Sequence, residues 1–185
     1  FRYCSGIEKL NMSKNVVSLG DRAFSGCTGL ESLDMPEGIQ SIGHSAFSGC
    51  TALTGIAVSE GVTSIGCNVF SGCTALKSVT FPESLTSMGY GLIEDTAVES
   101  ITIPKNVTNC DYYLSNGTYA GPLSGCKTLK KVVLEEGMTV IPAYVCSSSS
   151  YLEQVIVPST IETINGYSFF DCTRLKSISI PEGVR

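Results

Sequence analysis

The sequence repeats itself every 23 residues, and this period constrains the fold more than any other feature. Cys4, Cys27, Cys50 and Cys73 stand 23 residues apart, and three aligned copies read SLGDRAFSGCTGLESLDMPEGI, SIGHSAFSGCTALTGIAVSEGV and SIGCNVFSGCTALKSVTFPESL. A self-similar unit of about 20–29 residues with leucine-type positions at fixed offsets is typical of a solenoid. The repeat therefore predicts a stack of coils that share one continuous core.

Each copy contains one clear strand signal followed by a turn. Apolar and polar residues alternate over Leu30–Met35, which predicts a strand with one buried face. The chain then turns at Pro36–Gly38, and after a second short apolar segment we expect Ala46–Cys50 to close the coil as a helical or 3₁₀ turn. Eight strands of one parallel sheet are predicted: Ile7–Met12, Leu30–Met35, Leu53–Val58, Leu76–Phe81, Val98–Ile103, Leu129–Leu134, Leu152–Val157 and Leu175–Ile180.

A glycine column follows the second apolar segment of each copy. Its members are Gly20, Gly43, Gly66, Gly89, Asp111, Pro142 and Asn165. A left-handed backbone is expected here, because glycine adopts it freely and Asp and Asn tolerate it. Proline cannot adopt it, so the copy with Pro142 is expected to turn differently.

Two irregularities interrupt the period. One copy lacks a residue and has Ile93–Thr96 where Phe-Ser-Gly-Cys-Thr is usual, and the next gains eight residues within Asp111–Gly121. An insertion into a strict repeat is free to serve recognition, and tyrosine is enriched in binding hot spots. The alternative is that the inserted tyrosines cover the core where the glycine column fails. The three tyrosines are Tyr112, Tyr113 and Tyr119.

The outward side chains of the predicted sheet are the default recognition surface of a solenoid. Most of them are small and polar, but Val133 and Ile156 are adjacent β-branched residues on a face expected to be wet. The candidate protein-binding residues are therefore Tyr112, Tyr113, Tyr119, Lys131, Val133, Gln154 and Ile156.

The cysteines favour a buried thiol ladder, with disulfides as the alternative. Five of the nine occupy one inward column, namely Cys27, Cys50, Cys73, Cys126 and Cys172. Stacked side chains point the same way at a spacing of about 5 Å, which exceeds the roughly 3.5–4.5 Å between the Cβ atoms of a disulfide. Metal binding is disfavoured because there is no CxxC pair and the thiols face the core.

Another column imitates a catalytic site. Asp21, His44, Cys67 and Tyr90 follow the glycines of successive copies, so an acid, the single histidine and a thiol lie on adjacent rungs. The column is expected to be exposed, without a cleft or an oxyanion turn. We therefore predict no catalytic residues and interpret Cys67 as an exposed, oxidation-prone thiol.

Charge and composition exclude several function classes. Twelve Lys and Arg against seventeen Asp and Glu give a net charge of −5 with scattered bases, which argues against nucleic-acid binding. No apolar run reaches the roughly 18 residues that span a bilayer. A row of glutamates is interpreted as a solvated edge, so no metal or cofactor is predicted. Its members are Glu37, Glu60, Glu83 and Glu136.

The template LxxLxIPxxVxxIGxxAFxxC resembles the BspA-type leucine-rich repeat family of bacterial and protist surface proteins. Its elements stand here as Ser64–Gly66, Val69–Phe70, Ser71–Cys73 and Phe81–Glu83, and again in Tyr167–Cys172. The resemblance implies a leucine-rich repeat solenoid. This would be a right-handed, β-rich coil with a parallel sheet on its concave face and short strands or 3₁₀/helical turns on its other sides.

The resemblance also implies a secreted or cell-surface, non-enzymatic module for protein binding or adhesion, with a protein or host-matrix ligand as its partner. The alternatives are a structural spacer within a longer surface protein and, third, a thiol-dependent hydrolase using Cys67 and His44. Phe1 and Arg185 both fall in mid-repeat. Residues 1–185 are therefore expected to be one repeat domain of about eight coils, truncated at both ends, with any signal or anchor outside it.

Overall fold

The computed structural model describes residues 1–184 and contains two strands per coil, on different sides. The seven first strands have three or four residues: β1 (Lys9–Asn11), β3 (Ser32–Asp34), β5 (Gly55–Ala57), β7 (Ser78–Thr80), β9 (Ser100–Ile103), β13 (Lys131–Leu134) and β15 (Gln154–Ile156). The seven second strands have two: β2 (Ser18–Leu19), β4 (Ser41–Ile42), β6 (Ser64–Ile65), β8 (Ser87–Met88), β10 (Asn109–Cys110), β14 (Val140–Ile141) and β16 (Thr163–Ile164). One further pair, β11 (Tyr113–Ser115) and β12 (Thr118–Ala120), lies in the insertion.

The paired strands run parallel and in register, which confirms the predicted solenoid, but the first strands form three groups, β1–β3, β5–β7 and β9–β13–β15, instead of the predicted single sheet. Lys9 stands opposite Ser32, and Ile42 stands opposite Ile65, so each residue meets its equivalent one repeat later. Burial alternates along the first strands as predicted, since Ile101 and Ile103 of β9 are buried while its serine and threonine are exposed. Period-2 patterning thus directs one face of each first strand into the core.

The eighth predicted strand, Leu175–Ile180, does not form. In the preceding coil, the amides of Glu153 and Gln154 both donate to the Lys130 carbonyl at 2.9 Å, but within residues 1–184 no equivalent bond joins this segment to β15. Most of its side chains are exposed, so little apolar burial offsets the entropy cost of ordering its backbone. The structure has seven coils with both strands instead of the eight expected.

Turns form the third side of each coil, in place of the predicted helical or 3₁₀ piece. Each regular coil has two left-handed residues here, four positions apart, and a left-handed residue cannot continue a right-handed helix. They are Arg22 and Gly26, Ser45 and Gly49, and Asn68 and Gly72.

Throughout residues 1–184, no helix has the length and apolarity that crossing a membrane requires.

The glycine column has a different role from the predicted one. Gly43 and Gly66 do not adopt a left-handed φ. A methyl group on Gly66 would instead lie 2.7 Å from the amide nitrogen of His44 and 2.9 Å from the carbonyl carbon of Gly43. Glycine is needed because adjacent backbones approach too closely for a side chain. The left-handed residue comes two positions later, so the fixed φ of Pro142 does not conflict with the turn of its coil.

The core contains an aromatic ladder, defined here as Phe24, Phe47 and Phe70. Successive rings stack at centroid distances of 5.6 and 6.0 Å and are nearly parallel, with angles of 10° and 9°. Phe47 and Phe70 are fully buried. Removing such a side chain from water stabilises the fold by about 1.5–3 kcal/mol.

The cysteines form the predicted thiol ladder, and all nine are free. The Cys50 thiol donates to the Phe24 carbonyl at 3.2 Å, and the Cys73 thiol donates to the Phe47 carbonyl at 3.1 Å. Cys126 is also buried and Cys172 is half-buried. Each thiol therefore fills the core as a small apolar group, and its S–H group donates a hydrogen bond to the preceding coil.

Candidate functional site

The column of Asp21, His44 and Cys67 does not form a catalytic triad. Asp21 Oδ1 accepts a hydrogen bond from the backbone N–H of His44 at 2.8 Å, and His44 Nδ1 accepts one from the backbone N–H of Cys67 at 2.9 Å. Each side chain thus binds the backbone of the next coil rather than the side chain that follows it. A nucleophile needs a base in contact with it, so this geometry supports coil stacking instead of catalysis.

Cys67 is buried, with 6% of its surface exposed, so the prediction of an exposed thiol was wrong. Tyr90 and Asp111 line the same groove as this short side chain, and Asp111 Oδ2 lies 4.0 Å from its sulfur. Burial raises the pKa of the Cys67 thiol, and the nearby Asp111 charge adds to the effect. Burial also raises the pKa of Cys110, to about 12. Both thiols therefore stay protonated near neutral pH, which disfavours reaction as nucleophiles.

The four candidates on the first strands lie together. Lys131 stands opposite Gln154, and Val133 stands opposite Ile156, on the paired strands β13 and β15. Ile156 is 40% exposed and Val133 is half-buried. On the other side of β13, the in-register neighbour of Val133 is Thr102. The apolar spot is therefore two residues wide and stays a predicted binding surface.

The insertion folds into a β-hairpin. Strands β11 and β12 pair antiparallel, with Leu114 opposite Tyr119, and the connecting residues Asn116 and Gly117 have φ values of 49° and 82°. Two consecutive left-handed residues make the type I′ turn that an Asn-Gly pair favours. This Asn116–Gly117 dipeptide is a strong short-range signal for a hairpin, and it would have predicted the fold of the insertion.

The hairpin interrupts only one side of the solenoid. The first strands pair continuously across the insertion, in the order β9, β13, β15. The second strands pair from β2 to β10 and separately as β14 with β16, which leaves a break between β10 and β14. The inserted residues therefore project beside this break.

Six of the eight tyrosines and one phenylalanine gather around the hairpin in what we call the aromatic patch. Tyr112 stacks on Tyr144 at 4.0 Å between ring centroids, and Tyr144 stacks on Tyr167 at 5.3 Å and 7°. Tyr119 contacts all three of these rings. Tyr113 lies instead against Tyr90, at 5.6 Å. The members are Tyr90, Tyr112, Tyr113, Tyr119, Tyr144, Tyr167 and Phe170.

The aromatic patch remains open to solvent. Tyr112, Tyr113 and Tyr167 are 45%, 53% and 48% exposed, and the neighbouring Leu114 is 51% exposed. Soluble proteins rarely group large apolar side chains on their surface unless the group has a function. The patch is therefore the strongest candidate site in the structure.

The three inserted tyrosines of the patch were predicted from the sequence, but its other members were not. Tyr144 and Tyr167 stand 23 residues apart in otherwise ordinary copies, at the left-handed position occupied by Arg22 and Ser45 in earlier coils. Aligning that position would have shown two aromatic residues on adjacent rungs. Phe170 had no such signal, because it follows the core residue of its own coil.

A groove of about 470 Å³ lies beside the patch, at the break between β10 and β14. Its aromatic wall consists of Tyr90, Tyr112 and Tyr144. Its polar lining includes the carboxylate of Asp111 and the side-chain amides of two asparagines, Asn109 and Asn165. Among the described residues that line it, Asp111 is the one charged group. The groove thus joins flat apolar surfaces to hydrogen-bond acceptors.

The repeats match the pattern of a known protein family over both halves of the chain. The sequence pattern described as BspA type leucine rich repeat region matches in six copies, over residues 1–120 and 120–185. No curated protein matches the chain.

Several solved structures share the fold. A leucine-rich repeat protein from Bacteroides ovatus is 27% identical, with a TM-score of 0.64 over 96% of this chain and 50% of that protein. The T. pallidum leucine-rich repeat protein is 24% identical, with a TM-score of 0.73 over 94% of this chain and 80% of its own. A leucine rich cell surface protein from Faecalibacterium prausnitzii is 24% identical, with a TM-score of 0.54 over 100% of this chain and 63% of its own.

The chain spans half the length of the B. ovatus protein, and the other two similarities concern the fold alone. The family pattern covers both the regular copies and the copies around the insertion. This protein therefore belongs to the BspA-type leucine-rich repeat family.

Proposed function

We propose that this chain is a non-enzymatic protein-binding module of a secreted or cell-surface protein, and that the aromatic patch contacts the partner. The observation that carries this proposal is the exposed stack of Tyr112, Tyr144 and Tyr167. A partner covering these rings would bury large apolar faces while the phenolic hydroxyls keep polar contacts at the rim.

Packing within the patch favours tight binding. Tyr119 lies 5.7 Å from Tyr144 and 4.7 Å from Tyr167, so neighbouring rings restrict each other's rotation before any partner arrives. Ordering side chains at an interface costs about 0.5–1.5 kcal/mol for each one immobilised. Rings that are already ordered avoid much of this cost, and tyrosine is accordingly frequent in binding hot spots.

A position outside the cell is supported by the family and by one structural neighbour, which is described as a leucine rich cell surface protein. The same resemblance supports a role in adhesion to host-matrix proteins or to other cells. The repeats also provide a rigid scaffold, because β13, the first strand after the inserted hairpin, pairs with β9 on one side and with β15 on the other. Binding residues commonly lie on loops that such a scaffold positions.

The test is a double variant, Tyr112→Ser with Tyr167→Ser, compared with Tyr3→Ser as the control. Tyr3 is 65% exposed and lies outside the patch, so the control loses the same type of side chain elsewhere. Binding is measured to a panel of immobilised extracellular-matrix proteins and to epithelial cells, together with Tm. We expect the double variant to bind at least about tenfold more weakly than the control, with a small change in Tm.

A second arm tests the surface on β13 and β15. If Ile156→Ser abolishes binding and the double tyrosine variant does not, the partner contacts the first strands and the assignment to the patch is wrong. If neither variant changes binding, or if the wild-type chain binds nothing in the panel, the result favours the alternative of a spacer within a longer surface protein.

A further inference from the structure

We propose that the groove beside the aromatic patch receives a guanidinium group, supplied by an arginine side chain of the partner protein. This inference rests on the proposed protein-binding function and names the chemistry of its anchor. Three observations support it: the arginine contacts of the other tyrosines, the charge of the groove and the hydrogen-bond acceptors along it.

The two tyrosines outside the patch both carry an arginine on their ring. The guanidinium carbon of Arg2 lies 4.5 Å from the ring centroid of Tyr3, and that of Arg174 lies 4.4 Å from the ring centroid of Tyr151. Within residues 1–184, no cation lies over any ring of the aromatic patch. The negative face of a tyrosine ring attracts a cation. The rings of the aromatic patch are therefore free to make the cation–π contact that Tyr3 and Tyr151 already make.

The charge of the groove points the same way. Asp111 is exposed and lines the groove, whereas no Lys, Arg or His does so among the described residues. The Cys67 thiol lies 4.0 Å from Asp111 Oδ2, and because burial raises the pKa of that thiol it stays neutral and does not offset the carboxylate charge. The lysines that form ion pairs are engaged with acids outside the groove, Lys105 with Glu83 and Lys127 with Asp95. A cationic ligand would therefore complement the site.

Guanidinium fits this lining better than ammonium does. It is planar and presents five N–H donors in a fixed fork, so it stacks on an aromatic ring while it donates two parallel bonds to a carboxylate. Tyr90, Tyr112 and Tyr144 supply the flat surfaces, and Asp111 supplies the carboxylate. Asn109 and Asn165 also line the groove, and their side-chain amide oxygens can accept bonds from the other donors.

The experiment compares two blocked pentapeptides, acetyl-Gly-Ser-Arg-Ser-Gly-amide and the same peptide with citrulline in place of arginine. Citrulline keeps the shape of the arginine side chain and removes its charge. Because the chain has no tryptophan, titration is followed directly by tyrosine fluorescence and by NMR of the tyrosine ring protons. We expect the arginine peptide to bind at least about tenfold more tightly than the citrulline peptide. We also expect it to change the chemical shifts of the ring protons of the groove tyrosines.

Two variants test whether the arginine peptide binds in this groove. Asp111→Asn removes the charge at nearly constant size, and Asp34→Asn is its control, because Asp34 is an exposed acid on β3, outside the groove. Tyr112→Leu keeps an apolar side chain but removes the ring. Asp111→Asn and Tyr112→Leu should each weaken binding of the arginine peptide by about tenfold, whereas Asp34→Asn should leave it unchanged. Circular dichroism confirms that each variant is folded.

Equal binding of the two peptides overturns the inference, as does no binding of the arginine peptide at about 10 mM. Full retention of binding in Asp111→Asn overturns it as well. Binding of a neutral oligosaccharide such as chitotriose in the same groove, insensitive to Asp111→Asn, would assign the groove to a glycan instead. If the double variant Tyr112→Ser with Tyr167→Ser loses adhesion while the arginine peptide fails, the proposed function stands and this inference alone falls.

Discussion

Two aromatic ladders run along the same solenoid, one inside and one outside. Phe24, Phe47 and Phe70 stack in the core at 5.6 and 6.0 Å, and Tyr112, Tyr144 and Tyr167 stack on the surface at 4.0 and 5.3 Å. The inner ladder arises because stacked coils place equivalent side chains beside each other, and so does the outer pair Tyr144 and Tyr167, to which the insertion adds Tyr112. The difference lies in burial, so the inner ladder stabilises the fold and the outer ladder keeps its apolar surface available to a partner.

The left-handed backbone position of each coil carries different residues in the early and the late coils. In the early coils, the left-handed position carries Arg22, Ser45 and Asn68, but it carries Tyr144 and Tyr167 in the later coils, with φ values of 62° and 61°. A left-handed φ is uncommon for a bulky residue and costs about 1–3 kcal/mol. Because all these coils share the left-handed φ, the later ones are distinguished by two bulky rings held in it on adjacent rungs without full burial, which a recognition surface would use.

The largest difference between the ladders should appear on truncation to alanine. Phe47→Ala removes a fully buried ring, and we expect the free energy of unfolding to fall by about 3–5 kcal/mol. Tyr144→Ala removes a half-exposed ring from the outer ladder, and the expected loss is about 1 kcal/mol. Urea denaturation followed by circular dichroism measures both. Similar losses for the two variants would mean that the outer ladder is part of the core.

A smaller effect tests how closely the coils stack beneath both ladders. Gly66→Ala would place a methyl group 2.7 Å from the His44 nitrogen, and the resulting overpacking should cost about 1–3 kcal/mol. Gly20→Ala is the matched control, because a methyl group there meets nothing within 4 Å. Tm should fall in the first variant and stay nearly constant in the second. Equal behaviour would show that the glycine column is not needed for close approach.

The strict period explains how much of the fold the sequence predicts. Alternating residues such as those of β9 give both the strands and their buried face, because a solenoid repeats one local solution. The roles of single positions were harder to predict. The clash that Gly66 avoids involves the backbone of another coil, and the left-handed residue proved to be Asn68, two positions further on. Neither fact follows from local propensity.

The candidate site was predicted only in part, for the same reason. Tyr112 and Tyr119 stood out because they interrupt the period, but their neighbours Tyr144 and Tyr167 come from other coils. Cys67 was expected at the surface because its column varies most from copy to copy, yet side chains on adjacent rungs and the inserted segment bury it. A column shows which residues are neighbours, but the depth of each side chain depends on the sizes of those neighbours.

The smallest expected effect separates the strain of the outer ladder from its packing. Tyr144→Gly and Tyr144→Ala both remove the ring, but only glycine relieves a left-handed φ of 62°. We therefore expect the glycine variant to be more stable than the alanine variant by about 1 kcal/mol, measured by urea denaturation. Ala143→Gly is the control, because Ala143 is not left-handed and glycine there should cost about 0.5–1 kcal/mol.

The same two Tyr144 variants should bind a partner equally weakly, since both lack the ring between Tyr112 and Tyr167. Higher stability combined with lost binding would show that the left-handed tyrosine is retained for recognition at the expense of the fold. If the glycine variant is no more stable than the alanine variant, the backbone at Tyr144 is unstrained. The outer ladder would then differ from the inner one in exposure alone, and its conformation would no longer support a role in binding.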